Sequence, residues 1–117
     1  MIRRPSEMVT ETRENMRGGG GTVSIAHYFR GDEFTAKSRL CAKLTLPPGV
    51  GIGPHEHATE DEVYIITSGS GILDDGQSQT HVEAGDAVLT GNGESHAIKN
   101  DGNEPLELIA VIMCYGD

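Results

Sequence analysis

The sequence predicts an all-β domain whose antiparallel strands close into a small double-sheet barrel of the jelly-roll kind. From Thr22 onward, short runs rich in β-branched and aromatic residues alternate with glycine, proline and Asp-Gly turn signals, at the spacing typical of a barrel or sandwich. No helical pattern interrupts this succession. Closure into two sheets also removes the unpaired strand edges that an open sheet would expose.

The length of 117 residues fits a single domain. We divide the chain into an N-terminal arm and glycine-rich segment, residues 1–21, and a barrel domain, residues 22–117. Residues 1–17 are charged without a clear period, which predicts an arm or a short strand. The four glycines at 18–21 fit either a flexible linker or hinge, or a nest of backbone amides that holds an anion.

Eight strands are predicted in the barrel domain, and each ends near a turn signal. They are Thr22–Phe29, Ser38–Leu46, Glu62–Thr67, Gly71–Leu73, Gln79–Glu83, Ala87–Thr90, Ser95–Lys99 and Leu106–Met113. Between the fourth and fifth, Asp75-Gly76 predicts a two-residue hairpin turn, because both residue types tolerate positive φ.

The overall charge and hydropathy pattern exclude several classes of partner. A net charge of −9 and a pI near 4.9 disfavour binding to nucleic acid or to anionic lipid. No apolar run approaches the roughly 20 residues of a membrane span, and the first residues lack the apolar core of a signal peptide. A cytoplasmic protein is therefore expected. Cys41 and Cys114 lie in apolar strand-like runs and are expected as buried thiols without a disulfide.

Three histidines and one carboxylate form a candidate metal site. His55 and His57 are two residues apart, so on an extended strand both imidazoles point to one face. Glu62 heads the next β-rich run, and His96 begins a later short strand. Imidazole and carboxylate donors suit manganese, iron, nickel, cobalt or zinc, and the absence of cysteine argues against a closed structural zinc site.

The charge of such a site favours an anionic small molecule. Three neutral histidines and one glutamate leave a divalent ion with a local charge of about +1 inside a low-dielectric barrel. Four protein ligands also leave two positions on a six-coordinate ion, which suits a bidentate carboxylate, an enediol or dioxygen.

Strand parity supplies further candidates for the pocket. If Glu62 faces inward, Tyr64, Ile66 and Ser68 share its face, while Ile98 and Asn100 follow His96 inward. Tyr64, Ile66 and Ile98 are therefore candidate pocket residues, although Tyr64 fits equally well as a packing aromatic. Neither His27 nor His81 fits a ligand spacing, and both are expected as strand or surface histidines.

Two stretches resemble the paired motifs of the cupin superfamily. The first motif is matched by Gly49, His55, His57, Glu62 and Gly69, and the second by Gly85, Gly93, His96 and Asn100. Gly91 stands where the family has proline, which puts the rigidity of that turn and the placement of His96 in doubt. The resemblance implies a double-stranded β-helix with one divalent metal inside, manganese before the alternatives above. It also implies a homodimer in which residues 1–30 are packed or exchanged between subunits.

Three classes of function stay open. The first is an enzyme acting on a small carboxylate, since small cupins of this kind are likened to oxalate decarboxylases and oxalate oxidases. Such chemistry needs a cation for the second carboxylate, and the candidates are Arg17, Arg30, Arg39 and Lys43. No catalytic pair can be assigned. The second class is a metal-dependent dioxygenase or isomerase, and the third is a non-catalytic binding protein. A metal-binding protein for a small carboxylate is the common expectation.

Overall fold

The computed structural model describes residues 1–116 and contains ten β-strands. Their bounds are β1 Val9–Glu14, β2 Thr22–His27, β3 Ser38–Leu46, β4 Gly51–Glu56, β5 Glu60–Ser68, β6 Ser70–Asp74, β7 Gln79–Glu83, β8 Ala87–Thr90, β9 Ser95–Lys99 and β10 Leu106–Cys114. Helical structure within residues 1–116 consists of three single 3₁₀ turns, at Pro5–Glu7, Met16–Gly18 and Gly31–Glu33.

The strands form two antiparallel sheets. The large sheet has the order β1-β2-β3-β10-β5-β8, and the small sheet has the order β4-β9-β6-β7. This all-β, double-sheet architecture confirms the predicted double-stranded β-helix. Within residues 1–116, no helix has the length and apolar character needed to cross a membrane.

The core lies between the two sheets and follows the period of two along each strand. On β3 and β10 the fully buried residues alternate with partly exposed ones, and they are Ala42, Leu44, Leu46, Leu106, Leu108 and Ala110. Ile52 and Ile98 complete the core from the small sheet. Burial of one such leucine or isoleucine contributes roughly 1.5–3 kcal/mol. The inward parity predicted for Ile66, Ile98 and Asn100 is confirmed, whereas Ser68, at the end of β5, is exposed and its predicted inward position is wrong.

Strand β4 was absent from the predicted strands because its sequence, G-I-G-P-H-E, carries two glycines and a proline. The structure explains both glycines by close backbone contact. A Cβ on Gly53 would lie 2.0 Å from the Arg17 carbonyl oxygen, and a Cβ on Gly51 would lie 3.0 Å from the Ile98 carbonyl oxygen. Proline is tolerated because β4 is an edge strand of the small sheet.

The glycine run packs tightly on β4. A Cβ on Gly19 would lie 2.2 Å from the Gly51 carbonyl oxygen, and the Gly51 amide donates to the Gly20 carbonyl at 3.1 Å. The Asn15 amide closes the loop by donating to the Gly21 carbonyl at 2.8 Å. Glycine is required at position 19 for close approach, a role that neither prediction for this run contained.

The predicted two-residue hairpin at Asp75-Gly76 is wrong. Strand β6 ends at Asp74 and β7 begins at Gln79, so residues 75–78 form a four-residue loop. The Asp75 carboxylate accepts hydrogen bonds from the amides of Gln77 and Ser78 at 2.9 and 2.8 Å, which favours the longer turn. Cys41 and Cys114 are free, as expected, but half-buried rather than buried.

Candidate metal centre

The four predicted ligand residues meet between the two sheets. His55 on β4 is the direct cross-strand partner of His96 on β9, while Glu62 comes from β5 of the large sheet. His57 lies just after β4. One donor atom from each residue lies within 4.8 Å of all the others. His57, Glu62 and His96 are only 1–3% exposed, so the cluster is a buried polar site.

The spacing of the donor atoms fits adjacent ligands of a single ion. The His96 Nε2 lies 3.0 Å from the Nε2 atoms of both His55 and His57. The Glu62 Oε1 lies 2.9 Å from the Nε2 atoms of His57 and His96 and 3.8 Å from that of His55. Two ligands at about 2.1 Å from a metal and at right angles are about 3.0 Å apart. The cluster therefore has the dimensions of part of an octahedral site.

The other ring nitrogens define how the imidazoles are oriented. The His55 Nδ1 donates to the Gly53 carbonyl at 2.8 Å, and the His57 Nδ1 donates to the Glu60 carboxylate at 2.7 Å. The His96 Nδ1 lies 2.9 Å from the Thr90 hydroxyl. Protons on these Nδ1 atoms leave the Nε2 lone pairs directed at one another and at Glu62. Lone pairs at 3.0 Å repel unless a cation lies between them, so the donor set fits a metal.

Electrostatics keep Glu62 ionised despite its burial. Burial alone would raise the pKa of this carboxyl, but in metal-free protein the neighbouring imidazoles of His55, His96 and His57, whose Nε2 atoms can then carry protons, outweigh burial and lower the pKa to about 2. Tyr64 is buried beside it and stacks on the His96 ring, with centroids 4.7 Å apart. Burial, the Glu62 charge and a hydrogen bond to Glu62 raise the pKa of Tyr64 well above its usual range.

Two charged residues, Glu60 and Arg39, form a hydrogen-bonded series that orients His57. Glu60 accepts a hydrogen bond from the His57 Nδ1 and two more from the Arg39 guanidinium, at 2.8 and 2.7 Å. The Arg39 hydrogen bond is the main reason that the pKa of Glu60 is lowered. Carboxylates in this position orient a metal-binding histidine and raise its basicity.

The turn at Gly91 is held by its neighbours although it lacks the family proline. Asn92 and Gly93 both have positive φ, 55° and 82°, and the Glu94 amide donates to the Gly91 carbonyl at 3.0 Å. A Cβ on residue 91 would lie 1.9 Å from the Asp61 carboxylate, so a larger residue there requires the Asp61 side chain to move. The same turn exchanges two backbone hydrogen bonds with His57, both 2.9 Å long. It therefore places His57 as well as His96.

A cavity of about 130 Å³ opens beside the cluster. Besides His55, His57, Glu62 and Tyr64, its wall includes four basic residues, which are Arg13, Arg17, Arg39 and His27. Ile66 is in the core, and Ile98 borders a larger open groove of about 580 Å³ that contains none of the four cluster residues. We assign the ligand cavity to the smaller space because it alone of the two contacts the donor atoms.

Several residues of the site were not among the predicted candidates. Glu60 has the same strand parity as Glu62, so a stricter use of parity could have found it. Thr90 is the cross-strand partner of Glu62, and that pairing is not visible in the sequence. Arg13 reaches the cavity from the arm. His27 lines the cavity but bonds to Glu11 at 2.8 Å rather than joining the cluster.

Comparisons with known proteins agree with this architecture. The cupin domain model matches residues 42–112. The oxalate-binding protein of Thermotoga maritima is 43% identical over 113 residues, which cover 97% of this chain and 93% of that protein. A crystal structure from Thermotoga maritima, described as a predicted oxalate decarboxylase, aligns with a TM-score of 0.92 at 43% identity and covers 97% of this chain and 99% of that one.

A more distant structure shows the fold alone. A cupin-2 domain from Rhodospirillum rubrum aligns over 100% of this chain and 76% of its own, with a TM-score of 0.75 at 18% identity. The double-sheet barrel is therefore shared beyond the range in which the sequences are closely similar.

Proposed function

This chain belongs to the cupin family, and on that premise we propose that it binds a small dicarboxylate of the oxalate type through one divalent metal ion. The observation that carries the proposal is the convergence of three imidazole Nε2 atoms and one carboxylate oxygen beside a small cavity. At about 130 Å³, this cavity is well below the roughly 300–1,000 Å³ of sites for drug-sized ligands.

The proposed metal ligands are His55, His57, Glu62 and His96. Their support is the set of Nε2 lone pairs directed at one point, together with a carboxylate that stays ionised at neutral pH. Once bound, the ion would supply the positive charge that attracts an anion into a buried site. Manganese is the first candidate, and iron, nickel, zinc and cobalt accept the same nitrogen and oxygen donors.

Oxalate is the proposed ligand for two reasons. The relative that is 43% identical over nearly the whole chain carries the name oxalate-binding protein. Independently, three neutral imidazoles and Glu62 leave a divalent ion with a charge of about +1, and basic residues line the cavity. A small dianion fits this combination of size and charge.

We favour binding over decarboxylation because, within residues 1–116, the residues that line the cavity include no readily available proton donor for a reacting carbon. Among the lining residues, Glu62 is the only carboxylate, and it belongs to the cluster. Burial and the Glu62 charge raise the pKa of the Tyr64 hydroxyl well above its usual range, and the His27 Nε2 lies 2.8 Å from the Glu11 carboxylate. A general acid must reach the atom that receives the proton and release its own proton readily, so Tyr64 and His27 are poor candidates.

Elemental analysis of untagged protein, purified without chelator, tests this proposal, with a His55→Ala/His96→Ala double variant prepared alongside. We expect about one transition metal per chain in the wild type and none in the variant. Titration calorimetry with oxalate should then show binding only to the metal-loaded wild type, and assays for formate and carbon dioxide should detect no turnover. Full metal retention by the variant would refute the ligand assignment, and sustained turnover would replace binding by catalysis.

A further inference from the structure

We infer that Arg17 of the N-terminal arm is the cation that binds the second carboxylate of the ligand and so selects dicarboxylates over monocarboxylates. This inference rests on the proposed function, because it names a specificity residue for the same cavity. Arg17 lines that cavity together with His55, His57 and Glu62.

Of the four basic residues at the cavity, three already have a carboxylate partner. Arg39 makes its two hydrogen bonds to Glu60, and Arg13 pairs with Glu11 at 2.9 Å. His27 pairs with the other oxygen of Glu11 at 2.8 Å. Within residues 1–116, Arg17 has no ion pair or hydrogen bond from its guanidinium, so it alone at this cavity has its full donor capacity available.

The same comparison removes the other cations that the sequence offered. Arg30 pairs with Asp32 and Glu33, and Lys43 lies 4.0 Å from Glu107. Neither of these two side chains lines the cavity. Of the four cations that the sequence offered for the second carboxylate, only Arg17 both lines the cavity and has no carboxylate partner within residues 1–116.

The backbone holds Arg17 in an unfavourable conformation in the cavity wall. Its φ and ψ are 54° and 28°, in the left-handed region that favours glycine, although four glycines follow it directly. Asn15 is left-handed as well, with φ 51°. Non-glycine residues kept in this region are concentrated at ligand sites, where surrounding contacts over-determine the conformation.

Those surrounding contacts are present on both sides of Arg17. Before it, Met16 packs against the core. After it, Gly19 and Gly20 make the close backbone contacts to β4 described above, and the Arg17 carbonyl itself lies over Gly53. The Arg17 backbone is therefore fixed before a ligand binds, so binding has to order only its side chain, which is exposed and unpaired.

Charge and shape both point to a dicarboxylate. Arg17 raises the charge available to the ligand from about +1 to about +2, which matches an oxalate dianion. The planar guanidinium can donate two parallel hydrogen bonds to a pair of carboxylate oxygens. An acetate or formate ion that contacts the cluster has no second carboxylate for Arg17, so its affinity should be insensitive to this residue.

The experiment measures oxalate and acetate binding by titration calorimetry to Mn²⁺-loaded wild type and to Arg17→Gln, Arg17→Lys and Arg17→Gly variants. Arg30→Gln serves as the matched control, since it removes an exposed arginine outside the cavity. We expect unchanged manganese content in all five proteins. The dissociation constant for oxalate should rise about 10- to 100-fold in Arg17→Gln and Arg17→Gly, and by less in Arg17→Lys. Acetate binding should change less than about threefold in every variant.

The Arg17→Gly variant separates ligand binding from folding, since glycine relieves the left-handed strain. Its melting temperature should equal or exceed that of the wild type while its dissociation constant for oxalate rises about 10- to 100-fold. Oxalate affinity in Arg17→Gln within about threefold of the wild type would overturn the role of Arg17 alone. Manganese-loaded wild type that binds no oxalate would overturn the proposed function, and the inference about Arg17 with it.

Discussion

Glu60→Gln is expected to weaken metal binding although Glu60 is not a proposed ligand. Its carboxylate accepts a hydrogen bond from the His57 Nδ1 at 2.7 Å and two hydrogen bonds from Arg39. The glutamine amide keeps the size of the side chain but removes the negative charge. His57 then becomes a poorer electron donor, and the Arg39 charge is left uncompensated near the bound cation.

The magnitude follows from the type of hydrogen bond that is lost. A hydrogen bond to a charged group contributes about 1.5–3 kcal/mol, whereas a neutral one contributes about 0.5–1.5 kcal/mol. Glu60→Gln should therefore reduce metal affinity by about 10- to 100-fold. Thr90→Val removes only the neutral partner of His96, 2.9 Å away, and should cost about two- to tenfold.

Competition between the protein and a chromophoric chelator for Co²⁺ measures both affinities. Arg39→Gln is the matched control, because it breaks the same ion pair but leaves Glu60 charged and bonded to His57. Its affinity should lie within about threefold of the wild type or be higher. The charge on Glu60 does not strengthen metal binding by His57 if Glu60→Gln binds Co²⁺ as tightly as the wild type. The same conclusion follows if Arg39→Gln weakens Co²⁺ binding as much as Glu60→Gln does.

Two further predictions concern stability. Metal-free protein should lose stability on acidification. Because burial lowers the pKa of His96, the free energy of unfolding should begin to fall below pH 6.5. It should fall further between pH 4.5 and 2, because the pKa of Glu62 is lowered to about 2. We expect Glu62 to contribute about 3 kcal/mol to the free energy of unfolding. Urea unfolding of the wild type and of Glu62→Gln tests this value, and a flat profile between pH 5 and 3 would contradict it. Gly53→Ala should destabilise the arm by about 2 kcal/mol or more, because the added Cβ would lie 2.0 Å from the Arg17 carbonyl oxygen. Limited proteolysis should then cut residues 15–21 faster than in the wild type. Equal cleavage rates would show that the backbone moves easily to accommodate the added methyl group.

Local patterns in the sequence were sufficient for much of the barrel. Four of the predicted strands have the same bounds in the structure, and these are β3, β7, β8 and β9. Each combines β-branched or apolar residues with clear turn signals at its ends. Three of the cluster residues were also found locally, because His55 and His57 share one short segment and Glu62 lies in the strand that follows.

The remainder depends on contacts between distant segments. Strand β1 has the sequence V-T-E-T-R-E, with Val9 as its only apolar residue, and it becomes a strand by pairing with β2. Strand β4 requires the backbone of Gly19 to lie against it, and a glycine-rich segment gives no sign of that partner. Arg17 could be named as a cation from the sequence, but its position at the cavity depends on both of these contacts.

The division of the cluster between two sheets has a mechanical consequence. His55 and His96 belong to the small sheet and Glu62 to the large one, so a shared ion would connect the two layers of the sandwich much as a cross-link does. An ion present at 100 times its dissociation constant would add about 2.7 kcal/mol to the free energy of unfolding. Separation of the layers would then require the ion to leave first, so amide hydrogen exchange in β4 and β9 would report metal occupancy.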